Sequence, residues 1–151
     1  MVAPAGNRSR RRPTIRKGKT KYNSRKVALC PKCYIPLKLA TKTLYQCQYC
    51  KCLITSKEAI TFHSKKESDY FFILQAKLKV KEIDKFSMQV RFDLLPSQDG
   101  ERPVFYKADF VTYKDGKQVD VIDVKGMRLS DYILKRKMML FFHAIKIKEV
   151  T

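Results

Sequence analysis

No stretch of this sequence approaches the ~20 consecutive apolar residues that a helix needs to cross a bilayer. The N-terminus is basic and lacks the apolar core of a secretory signal, which predicts a cytoplasmic protein with no membrane partner. Residues 1–27 contain no acid and no hydrophobic period. No segment repeats another. No Ser/His or Cys/His set is spaced as a nucleophile and its base, so covalent hydrolysis has no candidate residues.

What the chain has is positive charge. Lys and Arg number 33 against 14 acids, a formal charge of +19 on 151 residues. A field of that sign favours polyanions, either nucleic acid or an anionic membrane surface. Ten of the basic residues fall in residues 1–27, mixed with Gly, Ser, Asn and Pro. That composition predicts a flexible basic arm, in which Arg10, Arg11, Arg12, Arg16 and Lys17 would contact phosphates. A solubilising tail or a nuclear-targeting signal uses the same letters. The 44% apolar content still supports a real core, enough for one ordinary domain or a small domain with an appendage.

Five cysteines lie between positions 30 and 52. Intracellular cysteines are rarely disulfides, so a cluster of this kind points to metal. Cys30 and Cys33 form one CxxC pair, and Cys47 and Cys50 form a second after thirteen residues. Two such pairs bring four thiolates into a tetrahedron around one Zn²⁺, with no position left open for a substrate. The zinc is therefore expected to be structural, in a zinc ribbon over residues 28–54. Cys52 is left over. It could exchange with Cys50, which has the better spacing, and it otherwise reads as a packed or free thiol.

Residues 55–151 read as a separate α/β core in the order α-β-β-β-α-β. Ser64-Lys65-Lys66-Glu67 is a capping-box pattern, followed by apolar residues at helical spacing (Tyr70, Phe71, Ile73, Leu74, Leu78). The simplest role for Glu67 is therefore helix capping. Residues 83–95 read as a strand with Gln89 and Arg91 on the face opposite its apolar residues, and β-branched and aromatic content predicts two more over about 103–113 and 117–126. Asp115-Gly116 is a hairpin turn between the second and third. A second helix begins at Ser130-Asp131, and Ile145–Val150 reads as an edge strand.

Asp109 interrupts an apolar strand, where Asp is normally depleted. Asp123 and Lys125 are two apart on the next strand and so share a face. Paired as a hairpin, these strands would place two carboxylates side by side with an ammonium as neighbour. That set suits a hard divalent cation and a water nucleophile.

These residues resemble the PD-(D/E)xK nuclease superfamily. Residues 60–150 look most like small phage and prophage endonucleases related to Holliday-junction resolvases. The likeness rests on Phe62-His63-Ser64-Lys65-Lys66-Glu67, Gln89, Tyr106-Lys107-Ala108-Asp109-Phe110, Asp123-Val124-Lys125-Gly126 and Tyr132-x-x-Lys135. It implies a PD-(D/E)xK core with a mixed central sheet flanked by helices. It also implies that Asp109, Asp123 and the Val124 carbonyl hold Mg²⁺ or Mn²⁺. Lys125 would orient or help deprotonate the attacking water, and Glu67 would add a second-shell or second-metal carboxylate. Lys135 would contact phosphate, and Lys107 would also reach it. Asp123 stands where many relatives have Glu, which leaves metal preference open.

The sequence therefore predicts a Mg²⁺- or Mn²⁺-dependent DNA endonuclease acting on branched or otherwise structured phage DNA in a bacterial host. Related resolvases act as dimers, which makes a homodimer the expectation. The rival from another class is a non-catalytic zinc-ribbon nucleic-acid-binding protein, resembling ribosomal proteins that share the arm and the paired CxxC.

Overall fold

The computed structural model describes residues 26–41, 43–124 and 128–151. The expected basic arm, including Arg10, Arg11, Arg12, Arg16 and Lys17, lies outside them, as do Lys125 and Gly126. The described chain is mixed α/β, with nine strands in three sheets and two helices. No helix among the described residues is long and apolar enough to cross a membrane.

Three short strands follow the first CxxC turn: β2 (Lys38–Leu39), β3 (Leu44–Gln46) and β4 (Leu53–Thr55), paired antiparallel in that order. Cys30 and Cys33 lie ahead of β2, and Cys47 and Cys50 between β3 and β4. Upstream, β1 (Val27–Leu29) pairs antiparallel with β5 (Ile60–Phe62), beyond the ribbon's expected end at residue 54. Leu29 is fully buried in the same apolar cluster as Phe62 and Phe71. Tyr34 meets the Phe71 ring edge-on at 5.4 Å. Cysteine ribbon and α/β core are thus packed as neighbours through a shared apolar cluster. A region of so few apolar residues gains most from leaning on a larger core.

Ser64 caps α1 (Lys65–Lys79): its hydroxyl accepts from the Glu67 N–H at 3.2 Å. The helix buries Phe71 and Leu74 against the principal sheet. Removing a ring as buried as Phe71 costs about 3–5 kcal/mol.

That sheet has the order β6-β7-β8-β9. It begins with β6 (Lys85–Leu95) and β7 (Val104–Lys114), paired antiparallel over almost their whole length. Asp115 and Gly116 have φ of +50° and +71°. Two successive left-handed residues make the tight turn that matches strand twist, and the chain returns as β8 (Lys117–Val124). α2 (Ser130–His143) then crosses over, so that β9 (Lys148–Val150) lies parallel to β8 at the sheet edge. Ala144, with φ +55°, ends α2 in the left-handed region.

Each face of the sheet carries one helix. Phe71 and Leu74 of α1 cover Phe110, Ile122 and Val124. Tyr132 and Met139 of α2 cover Tyr106, Ala108, Val111 and Val121. The expectation that β6 keeps one apolar face is corrected here. Phe86 packs on the α1 side, whereas Val90, Phe92 and Leu94 pack on the α2 side. Gln89, between them, has φ +55°, which reverses the pleat.

Candidate active site and metal centre

Asp109 and Asp123 stand at opposed register positions where the sheet forks. The β7–β8 register runs Thr112↔Asp120, Val111↔Val121, Phe110↔Ile122, and one further step sets Asp109 opposite Asp123. At that step β8 is already paired on its other side, Asp123 with Glu149 and Val124 with Val150 of β9. Where the β7–β8 ladder ends, a side chain takes over from the backbone. Asp109 Oδ2 accepts from the Val124 N–H at 2.8 Å. Its Oδ1 faces Gln89 Nε2 at 3.4 Å.

Asp123 is 1% exposed. Two tyrosines line its approach from the α2 side. Burial, and after it the Asp123 carboxylate, push the Tyr106 hydroxyl above its ordinary value. The same two causes, with a hydrogen bond to Glu149, push Tyr132 up. Both phenols are thereby favoured in the protonated form, as donors. Tyr132 donates to Glu149 Oε1 at 3.0 Å. Arg128 and Arg136 close on the same carboxylate. Burial alone would push the Glu149 carboxyl up. Hydrogen bonds from Arg136 and Tyr132, with the Arg128 charge, outweigh it and hold Glu149 below its ordinary value. Sequence reading missed this group: Glu149 sits in a Lys-rich alternating strand with no motif around it, and only the parallel pairing of β9 brings it beside Asp123.

Glu67 is buried at the start of α1. Its two oxygens accept from the His63 N–H at 3.0 Å and the Ser64 hydroxyl at 3.0 Å. This is a reciprocal capping arrangement. Among the described residues, the gathering of three or more His, Cys, Asp or Glu ligand atoms is that of the cysteines, so Glu67 does not complete a three-carboxylate cage with Asp109 and Asp123. Lys135 pairs with Asp131 at 3.2 Å. Lys107 is exposed on β7, opposite Arg91 of β6.

The ligand atoms of Cys30, Cys33, Cys47 and Cys50 all lie within 4.8 Å of one another. A tetrahedral zinc with ligands at about 2.3 Å needs sulfurs about 3.8 Å apart. Cys30–Cys50 at 3.7 Å and Cys33–Cys50 at 3.9 Å meet that, and Cys33–Cys47 at 3.4 Å is slightly tight. The four residues fit a metal such as zinc. Cys52 Sγ lies 3.8 Å from Cys30 but only 2.9 Å from Cys50. At that separation Cys50 and Cys52 cannot both occupy one tetrahedron. Hydrogen bonds from the Cys52 thiol and N–H pull Cys50 down to about 6, which makes it the readier thiolate of the two. Cys52 is pushed up to about 12 by its bond to Cys50 and by burial.

A family model described as "Protein of unknown function (DUF1064)" matches residues 46–150, and the chain belongs to that family. No curated protein matches the chain. No solved structure matches it.

Proposed function

We propose that the chain is a metal-dependent DNA endonuclease of the PD-(D/E)xK kind, related to the small phage enzymes that resolve branched DNA. The observation that carries this reading is the placement of Asp109 opposite Asp123, by strand register, at the fork between β7 and β8. Support comes also from the core's element order, α1-β6-β7-β8-α2-β9, with one helix on each face.

Asp109, Asp123 and the Val124 carbonyl would hold Mg²⁺ or Mn²⁺. When bound, the ion supplies an activated water and charge stabilisation at the phosphate. The chain's own residues supply orientation. The Val124 N–H and Gln89 fix the Asp109 carboxylate from two sides. Lys125, beside Asp123 in sequence, would orient the attacking water. Lys107 and Lys135 would hold neighbouring phosphates. The +19 charge supplies sequence-independent affinity for DNA that weakens steeply with salt. Two copies would act together on a symmetric junction.

A second reading, a non-catalytic nucleic-acid-binding protein, is favoured by the cysteine cluster, which needs no reaction to explain it. Purified protein is incubated with a four-way junction, a linear duplex and a single strand in Mg²⁺ or Mn²⁺, beside Asp123→Ala and Lys125→Ala. Cutting by wild type that both variants lose supports the nuclease. Tight DNA binding without cutting under either metal transfers the assignment to the second reading. Light scattering of the same samples tests the homodimer.

A further inference from the structure

The structure assigns Gln89 the task of positioning the Asp109 carboxylate, an inference that rests on reading Asp109 as a metal-holding group. Gln89 has φ +55° in the middle of an eleven-residue strand. L-residues other than Gly are disfavoured there, and β strands seldom contain such a position. No residue has been inserted, because the register is unbroken on either side, Met88↔Phe110 and Val90↔Ala108. What changes is the face each strand presents.

Before Gln89, Phe86 packs against the α1-side cluster with Phe71 and Phe110. After it, Val90 and Phe92 pack on the α2 side. β7 turns over at the same level: Tyr106 and Ala108 belong to the α2 side, and Phe110 to the α1 side. An ordinary period of two would keep 106, 108 and 110 together. Asp109, the cross-strand neighbour of Gln89, therefore stands where both strands reverse, and it enters neither core. There its Oδ2 accepts from the Val124 N–H at 2.8 Å, and its Oδ1 faces the Gln89 side-chain nitrogen at the longer distance of 3.4 Å. Gln89 and Asp109 both line a cavity of about 350 Å³, together with Ile60, Phe62, Met88 and Phe110.

A disfavoured backbone that persists at one position, and delivers a polar group to a carboxylate, is the pattern of strain kept for placement. Partners standing behind metal ligands commonly change metal affinity 10–100-fold when removed. Gln89 acts through Asp109 and is a positioning residue.

The test is Mn²⁺ titration and thermal unfolding of the full chain as wild type, Gln89→Gly, Gln89→Asn and Gln89→Glu. Gly adopts φ +55° without penalty, so its melting temperature should be unchanged or higher while Mn²⁺ affinity falls about tenfold. Asn, which also tolerates the left-handed region and keeps an amide, should recover part of that affinity. Glu replaces the donor with a charged acceptor and should bind Mn²⁺ at least as weakly as Gly. Tighter binding by Gln89→Glu would make position 89 a metal ligand and overturn the proposal. Wild-type affinity in Gln89→Gly would overturn it equally. If wild type binds no Mn²⁺ and cuts no DNA, the nuclease reading fails by itself. The positioning is then judged by the Gln89 side-chain amide resonances in a ¹⁵N spectrum. They should shift in Asp109→Ala, and resonances that stay unmoved sink the contact.

Discussion

Asp109 accepts the Val124 N–H at 2.8 Å, one bond spanning the place where β8 leaves β7 to follow β9. A backbone donor that would otherwise face an open fork is satisfied by the same carboxylate that sits opposite Asp123. Fold and candidate chemistry are coupled at this atom pair, and conservative substitutions can separate them.

Asp109→Asn keeps an oxygen for the Val124 N–H and removes the charge. Its stability in urea should stay within about 1 kcal/mol of wild type. Asp109→Ala leaves that donor without its acceptor and should cost about 1–3 kcal/mol. Under the proposed function both variants lose cleavage by a factor of about 10² or more. An active Asp109→Asn enzyme would remove Asp109 from the metal.

Glu67 is spent on the helix cap, where both oxygens are engaged. Glu67→Gln retains capping ability and should unfold within about 0.5 kcal/mol of wild type. Ser64→Ala, which removes the cap acceptor, should cost about 1 kcal/mol. We expect cleavage by Glu67→Gln within about threefold of wild type, less than the ~10² to which general acid–base groups contribute. A loss of that size or larger in the equally stable variant would give this carboxylate a place in the reaction.

Zinc content separates the five thiols. Cys33→Ser and Cys47→Ser should lose the metal, and thermal unfolding should move down for the whole protein, because Leu29 and Tyr34 carry the ribbon into the Phe71 cluster. Cys52→Ser should keep one zinc per chain, since Cys30, Cys33, Cys47 and Cys50 already form a group of four that could hold the metal. A chelator acting on wild type should reproduce the Cys33→Ser melting curve. Zinc lost from Cys52→Ser and kept by Cys50→Ser would put Cys52 in place of Cys50.

The Glu149 cluster predicts a pH dependence. Its carboxyl lies below its ordinary value of 4.5, so it contributes stability that is present above that value and lost as pH falls through the lower, folded one. Glu149→Gln should flatten this part of the acid limb of a stability–pH curve. At neutral pH the change should cost about 1–2 kcal/mol, modest because Arg128 and Arg136 are partly solvated and can rehydrate. An acid limb that keeps its slope in Glu149→Gln would place the titration elsewhere.

Local rules made much of this molecule legible. The capping box at Ser64 and Glu67, the Asp115-Gly116 turn, the β-branched and aromatic residues of β7 and the two CxxC pairs each act over a few residues, so a linear reading finds them. The hairpin was legible too, but its turn pairs Lys114 with Lys117, a register that would set Asp109 opposite Ile122. An irregularity between Thr112 and Tyr113 shifts it by one and brings Asp109 opposite Asp123. Other features needed contacts that sequence distance hides. Glu149 joins Arg128, Arg136 and Tyr132 only because α2 returns the chain beside β8. Val27–Leu29 pairs with Ile60–Phe62 across the whole cysteine region, and that ties the ribbon to the core. The reversal at Gln89 was invisible, since a period of two says which residues alternate but not where a strand must turn over. Two helices covering opposite faces of one sheet decided that, by requiring Phe86 on one side and Val90 on the other.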